Sequence, residues 1–269
     1  MKILVLVTTA ETAHACLDAA VTASAALPGV TIEALHTIVD PERIVTSTEE
    51  IQLQRLREHD EGTAAQKAEA ARSAFLSWNL TADDKTPVVW WKTQVADEAR
   101  SVREEAEDVA LIVLPQGHDL DTADAFHAAL FDARKPLLVV PGDWRAGQQS
   151  GFAHVAIGVA NDSAERAALA AAQPWLHAAA RVTAIRIGEA LPEETAGAAL
   201  GQDVEADWLV VPRRSGIDLG AQIALEAETV GADLLVAGAY RHGPLIEWLM
   251  GGTTRHLLAA TTLPLLLAH

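Results

Sequence analysis

The chain has 269 residues, of which 50% are hydrophobic and 21% charged, and its formal net charge is −17 at pH 7. This apolar content is enough to bury sizeable cores and excludes a mainly disordered chain. The acidic balance excludes nucleic acids and anionic membranes as partners, whereas a small phosphorylated ligand needs only a local cluster of donors.

The amino-terminal run at residues 3–7 is apolar but too short for the hydrophobic region of a signal peptide. No uninterrupted apolar stretch elsewhere approaches the roughly 20 residues of a membrane span. The only cysteine, Cys16, excludes an internal disulfide framework, and its place in a predicted helix favours a buried apolar role. We therefore expect a cytoplasmic protein without a membrane partner.

Short apolar runs recur along the chain and are separated by longer segments with helical spacing. In the first half the runs are residues 3–7, 30–35, 88–91, 110–114 and 137–140. In the second half they are residues 155–160, 182–187, 208–212, 234–239 and 263–267. Continuous apolar runs indicate strands buried on both faces, as in a parallel sheet covered by helices. The alternation predicts doubly wound α/β domains.

The two halves of the chain repeat the same order of elements. A shift of 152 residues matches Val7 and Leu17 with Val159 and Leu169, and a shift of 128 matches Pro136 with Pro264. Because alanine-rich helices match easily by chance, the shared order of elements carries more weight than the identities. We predict two tandem Rossmann-like domains, residues 1–144 and 154–269, each with a five-stranded parallel sheet, joined by a linker at residues 145–153.

The first half contains an additional long helix, predicted over residues 48–78. Ser47 and Glu50 have the spacing of a capping box at its start. An apolar face with 3-4-3 spacing follows, formed by Ala68, Ala71, Phe75 and Trp78. We expect this face to pack on its own domain rather than on a partner chain.

The loop from Gly238 to His256 follows the fourth strand of the second half and enters a helix near Thr253. A glycine-lined turn before a helix offers main-chain N–H groups to phosphate oxygens, and the helix dipole adds to this attraction. Thr253 and Thr254 could add hydroxyl donors, and Arg241 and Arg255 positive charge. The alternative interpretation is an ordinary helix-entry turn punctuated by glycines.

With this loop, residues 231–269 resemble the universal stress protein family in its tandem bacterial form. The shared features run in family order: Gly231-Ala232-Asp233 before a strand, then Gly251-Gly252-Thr253-Thr254-Arg255, then Leu263-Pro264-Leu265-Leu266-Leu267. Nucleotide-binding members carry Gly, two residues, Gly, nine residues, then Gly with Ser or Thr. In this chain Gly238 and Gly251 match the first and third glycines of the pattern, and Arg241 replaces the second. Gly252 stands where the pattern has Ser or Thr, and Thr253 follows one residue after that position.

The resemblance also implies the remaining parts of the site. ATP-binding members have an acidic residue after the first strand, where this chain has Asn161 followed by Asp162. The resemblance thus implies that the second half binds ATP or another adenine nucleotide. The equivalent loop of the first half, residues 115–121, is shortened and acidic, so we expect no nucleotide there.

The family also suggests how the halves assemble and what the protein does. Single-domain members commonly dimerise through their last strands, so residues 137–140 and 263–267 are expected to pair as an intramolecular pseudo-dimer, with homodimerisation a further option. No catalytic group or dedicated metal site is recognised, so we expect a non-catalytic stress-response protein. The alternatives are a ligand-free scaffold and a low-rate ATP hydrolase.

Overall fold

A computed structural model describes residues 1–39, 58, 62–83, 86–117, 120–147, 150–160, 163–190, 204–239 and 252–268. Each predicted apolar run forms a strand. The first half contains β1 (Lys2–Leu6), β2 (Thr31–Ile38), β3 (Val89–Val95), β4 (Val109–Pro115) and β5 (Leu137–Val140). The second contains β6 (His154–Gly158), β7 (Arg181–Ile187), β8 (Asp207–Val211), β9 (Leu234–Gly238) and β10 (Leu265–Ala268).

All ten strands belong to one sheet, with the order β3-β2-β1-β4-β5-β10-β9-β6-β7-β8. Pairing within each half is parallel, whereas β5 and β10 pair antiparallel, with Leu138 opposite Leu266. The predicted pairing of the last strands within one chain is confirmed. Because that contact is antiparallel, the carboxyl ends of the strands point to opposite ends of the molecule in the two halves.

Helices cover both faces of this sheet, which confirms the doubly wound α/β class. In the described part of the chain they are α1 (Ala13–Ser24), α2 (Ala64–Thr81), α3 (Glu98–Glu105), α4 (Leu120–His127), α5 (Ser163–Ala178), α6 (Leu219–Thr229) and α7 (Thr253–Ala260). A π-helical turn, Ala128–Asp132, extends α4. Helices α1, α2 and α5 pack on one face, and α3, α4, α6 and α7 on the other.

Side chains along β1 alternate between the two faces of the sheet, which shows why both faces are apolar. Ile3, Val5 and Val7 pack under α1, whereas Leu4 and Leu6 belong to the opposite core. The prediction that strands are buried on both faces does not hold for the two edge strands. Trp90 in β3 is 63% exposed and Trp208 in β8 is 37% exposed. An edge strand lacks one neighbour, so apolar composition alone does not bury its side chains.

The structure places helix α2 of the first half at Ala64–Thr81, whereas the prediction was a helix over residues 48–78. Helix α2 begins after Thr63, whose side chain and that of Gln66 form a reciprocal capping box, and Gly62 has φ +88°. This left-handed residue and the cap fix the start of α2 at residue 64. Residues 48–57 and the Ser47–Glu50 pair lie outside the described residues. Of the predicted apolar face, helix α2 buries Ala71, Phe75 and Trp78, whereas Ala68 is half-buried.

Helix α2 packs on its own half of the chain. The Trp78 indole Nε1 donates to Asp18 Oδ1 at 2.7 Å, and His14 Nε2 lies 3.1 Å from the Ala74 carbonyl. Both partners, Asp18 and His14, belong to α1. The expected intradomain role of the extra helix is therefore confirmed.

Side chains also join the two halves outside the sheet. The Trp175 indole in α5 donates to the Ala23 carbonyl in α1 at 3.0 Å. The Gln116 amide, which follows β4, donates to the Leu258 carbonyl in α7. None of the described helices is long and apolar enough to cross a membrane.

Candidate functional site

The strand order reverses direction at one place in each half, between β1 and β4 and between β6 and β9. From β6 the chain continues into α5 on one face of the sheet, and beyond β9 it reaches α7 on the other. A crevice at the carboxyl ends of such strands is where open α/β sheets bind their ligands. In the second half this edge carries the predicted site.

The structure describes four of the eight predicted site residues. Gly238 is the last residue of β9, and Gly252 is the N-cap residue of α7, directly before Thr253 and Thr254. The other four, Asn161, Asp162, Arg241 and Gly251, lie outside the described residues. The predicted helix start near Thr253 is confirmed.

The amino terminus of α7 has no side-chain cap. Gly252 has φ −63° and ψ 165°, and its carbonyl accepts the first helical hydrogen bonds, from Arg255 N at 3.1 Å and His256 N at 3.4 Å. Thr253 is exposed, whereas Thr254 is only 5% exposed. Of the two threonine hydroxyls, that of Thr253 is therefore the one at the protein surface.

Helix α7 is held against α6 by a very close approach. A Cβ atom on Gly220 of α6 would collide with the Thr253 carbonyl and would lie 2.5 Å from the Leu257 nitrogen. Only glycine permits this distance between the two helices. The absence of a side chain at Gly220 therefore allows the first turn of α7 to pack directly against α6.

Two charged residues at this edge were not found from the sequence. Glu165, in the first turn of α5, is 2% exposed and its Oε2 accepts from Ala160 N at 2.7 Å, directly after β6. Its spacing of three residues from Asp162 is a capping-box signal that could have identified it. Arg186 lies near the carboxyl end of β7, and the sequence signal was a single cation in an otherwise apolar run.

The Arg186 guanidinium reaches across to the neighbouring strand end. Its Nη1 donates to the Val159 carbonyl at 3.1 Å and its Nε to the Glu189 carbonyl at 3.3 Å. The side chain is half-buried. These two carbonyl contacts fix the guanidinium in place, and among the described residues it forms no ion pair with a carboxylate.

A histidine occupies the equivalent position in the first half. Val7 N donates to Leu35 O and Val159 N to Ile185 O, so the following residues, His36 and Arg186, correspond. The His36 Nδ1 donates to the Val7 carbonyl at 2.7 Å, as Arg186 does to Val159. The corresponding carbonyls of the two halves therefore accept a hydrogen bond from different side chains, a histidine in the first half and an arginine in the second.

The strand ends of the first half are bridged by the protein's own side chains. The hydroxyls of Thr8 and Thr122 lie 2.9 Å apart, joining the end of β1 to α4. Lys67 of α2 forms an ion pair with Asp121 of α4 at 3.2 Å. An acid of the shortened segment at residues 115–121 is thus paired within the fold, and the ion pair links α2 to α4.

Burial lowers the pKa of His36, and the positive charge of Lys67 lowers it further, while the Val7 carbonyl and Asp121 act in the opposite direction. The ring is 3% exposed and stacks on Trp91 at a centroid distance of 6.2 Å. His36 is therefore neutral in the folded protein at pH 7. An unfolded histidine titrates near about pH 6.5.

These facts predict acid sensitivity of the first half. Below about pH 6.5 the unfolded chain takes up a proton that folded His36 does not, so stability falls as the pH decreases. We expect the melting temperature to fall more steeply between pH 7 and pH 5 in the wild type than in His36→Gln, which retains an N–H donor. Melting curves across this range test it, and equal slopes would contradict it.

The described residues contain no group of three or more histidine, cysteine, aspartate or glutamate side chains placed to hold a metal ion. Cys16 is buried in α1, where the loss of solvent raises the pKa of its thiol. Among the described residues, this edge of the second half carries the amino terminus of α7 and the Arg186 guanidinium.

No protein-family model matches the chain, and no curated protein matches it in sequence. Solved structures share its fold. A universal stress protein from Archaeoglobus fulgidus DSM 4304 superimposes with a TM-score of 0.58, covering 98% of this chain and 95% of that protein at 12% identity. A functionally unknown protein from Pseudomonas aeruginosa PAO1 has a TM-score of 0.53, covering 99% and 92% at 15% identity.

A third structure is a candidate universal stress protein from Pseudomonas aeruginosa UCBPP-PA14. Its TM-score is 0.51, with 99% of this chain and 92% of that protein covered at 14% identity. The fold that the resemblance implied is confirmed along nearly the whole length of the chain. At these identities the likeness concerns the fold.

Proposed function

We propose that this chain is a tandem universal stress protein, with domains at residues 1–144 and 154–269, that binds an adenine nucleotide at the second domain without catalysing a reaction. The observation that carries the proposal is the uncapped, glycine-started helix α7 at the carboxyl edge of β6 and β9. The shared fold with a universal stress protein supports the stress-response role.

The groups at this edge fit a phosphorylated ligand. Gly252 brings no side chain of its own to the start of α7, and the positive end of the helix dipole favours an anion there. The Thr253 hydroxyl is exposed next to them. Gly238, Asn161, Asp162, Arg241, Gly251 and Thr254 complete the proposed site, with Asn161 suited to hydrogen bonds with a ribose or base.

The first domain does not bind nucleotide in this proposal. The Thr8–Thr122 hydrogen bond and the Lys67–Asp121 ion pair already connect the elements between which a ligand would have to enter. Helix α2 supplies Lys67 to this ion pair. The proposal therefore predicts that each chain binds one nucleotide.

The test is thermal unfolding with and without millimolar Mg-ATP, in the wild type and in Gly252→Asp. Aspartate is a favourable N-cap and suits the extended backbone of Gly252, so the fold is retained. Its carboxylate would occupy the helix N–H groups and repel phosphate. At about 100 times its dissociation constant the ligand adds about 2.7 kcal/mol, or about 5 °C or more, to the wild type. The variant should show no shift.

Gly147→Asp is the matched control, since it makes the same charge change at an exposed glycine with nothing within 4 Å of the added Cβ. It should keep the full ATP shift. A wild type that does not respond to ATP, ADP or AMP would favour the ligand-free scaffold. Phosphate release that is lost in Gly252→Asp would instead favour the low-rate hydrolase.

A further inference from the structure

A titratable side chain of the first half, His36 in β2, lies close to the packing surface of helix α2. Its ring is 3% exposed and stacks on Trp91 of β3 at a centroid distance of 6.2 Å. Two side chains of α2 pack on Trp91. The Phe75 ring has a centroid distance of 5.0 Å, and the Arg72 guanidinium carbon lies 5.3 Å from the ring centroid. Trp91 therefore contacts both His36 and the side chains through which α2 packs on the sheet.

The charges that act on His36 in the described part of the chain come from two helices. Helix α2 brings Lys67, which forms an ion pair with Asp121 of α4 at 3.2 Å, and both charges influence the pKa of the imidazole. From β1 the Val7 carbonyl accepts the Nδ1 proton at 2.7 Å, and on β3 the register partner is the uncharged Thr93. A second proton on His36 would therefore meet the cations of α2 and an acid that is already paired.

Protonation of His36 opposes the packing of α2. Burial lowers the pKa of His36, and the cation of Lys67 lowers it more than Asp121 raises it. When α2 moves away, the ring regains water and loses the nearby cation, so its pKa returns towards about 6.5. The state with α2 displaced therefore takes up the proton more readily. Its population rises as the pH falls below about 6.5, by at most about tenfold per pH unit, until the pH passes the pKa of the packed state.

The place of α2 in the fold allows this opening to stay local. Helix α2 packs on α1 and on the outer strands β2 and β3. The strands that join the two halves, β5 and β10, lie at the opposite side of the sheet of the first half. Displacing α2 therefore leaves the contact between the halves in place. Elements at the periphery of a fold commonly open at a lower free energy than the whole chain.

We propose that α2 is an acid-sensitive element of the fold, which the protonation of His36 displaces from the first half, uncovering the aromatic side chains between α2 and the sheet. These are Phe75 and Trp78 of the helix and Trp91 of the strand. The inference concerns the first half and does not depend on nucleotide binding by the second. The corresponding residue of the second half is Arg186, whose guanidinium stays charged throughout this pH range.

Hydrogen exchange of the full chain, followed by mass spectrometry at pH 7 and pH 5 and corrected for the intrinsic pH dependence of exchange, measures the opening of each helix. Helix α5, on the same face of the sheet in the second half, is the internal reference. Between pH 7 and pH 5 we expect the protection of α2 to fall at least about fivefold more than that of α5. His36→Gln keeps an N–H donor for the Val7 carbonyl but takes up no proton, so it should lose this difference.

His14→Gln is the matched control, because it makes the same substitution at another histidine that contacts α2, through the Ala74 carbonyl. It should keep the pH dependence of the wild type. Equal loss of protection in α2 and α5 would overturn the proposal, since α2 would then open only when the whole chain unfolds. A difference that persists in His36→Gln, or one that disappears in His14→Gln, would overturn the role of His36.

Lys67→Gln tests the same inference without changing the histidine. Removal of this cation leaves Asp121 to attract a proton to His36 in the packed state, so acid should no longer favour the displaced state as strongly. We expect a smaller difference between α2 and α5 on going from pH 7 to pH 5, even where the protection of α2 at pH 7 is reduced by the lost ion pair. A difference as large as that of the wild type would contradict the proposal.

Discussion

Replacing Gly220 by alanine should lower the free energy of unfolding by about 2 kcal/mol, the difference between the upper end of a typical overpacking cost and the gain in helix propensity. The added Cβ would collide with the Thr253 carbonyl and lie 2.5 Å from the Leu257 nitrogen, and both atoms belong to the backbone of α7. A backbone cannot rotate away as a side chain can, so the two helices must separate, at a typical overpacking cost of about 1–3 kcal/mol or more. This exceeds the gain of about 1 kcal/mol that alanine brings over glycine within a helix.

Urea denaturation followed by far-UV circular dichroism measures this loss. Gly147→Ala is the control, since its Cβ meets no atom within 4 Å, and its stability should stay close to that of the wild type. Because the collision involves the first turn of α7, Gly220→Ala should also weaken nucleotide binding. A Gly220→Ala protein as stable as the wild type would mean that α6 and α7 are less closely packed than described.

Truncating Leu266 to alanine should cost about 2–5 kcal/mol, the usual range for a buried leucine. Leu266 is 1% exposed and pairs with Leu138 across the antiparallel contact between β10 and β5. The pairing of β10 with β5 joins the sheets of the two halves into one. The hydrogen bond between Trp175 and Ala23 is a further link between the halves. We therefore expect the whole chain to unfold in one transition at a lower urea concentration.

The control for Leu266 is Leu80→Ala, which makes the same truncation at a side chain that is 86% exposed. Its midpoint should not move by more than the equivalent of about 0.5 kcal/mol. Tryptophan fluorescence and circular dichroism should report the same midpoint in each variant. Two separate transitions in the wild type would show that the halves unfold independently and would contradict the coupling.

Much of the fold could be predicted because its signals are local. The apolar runs at residues 3–7 and 137–140 identify strands from their own composition, and Thr253 follows the glycines that begin a helix. The start of α2 could not be placed as well, because Thr63–Gln66 and Ser47–Glu50 are both capping signals. Only the backbone at Gly62 distinguishes the start at residue 64.

The candidate site depends more heavily on contacts between distant residues. Glycine spacing predicts Gly238 and Gly252 as site residues, whereas the hydrogen bond of Arg186 joins it to Val159, which is 27 residues away in sequence. The contacts that bridge the strand ends of the first half join Thr8 to Thr122 and Lys67 to Asp121, residues that are separated by 114 and 54 positions in the sequence. No periodicity or motif encodes such pairs.

By itself, the sequence determined the α/β class, the ten strands and their repeated order, since each follows from the periodicity or composition of a short segment. That the loop after β9 binds an anion stays a prediction. Only the tertiary structure decided which strand ends meet, that one half is bridged by its own side chains, and that the other holds Arg186 in place through two main-chain carbonyls. The physical reason is that a parallel sheet brings the ends of distant segments together, and the contacts made there depend on strand order rather than on any segment alone.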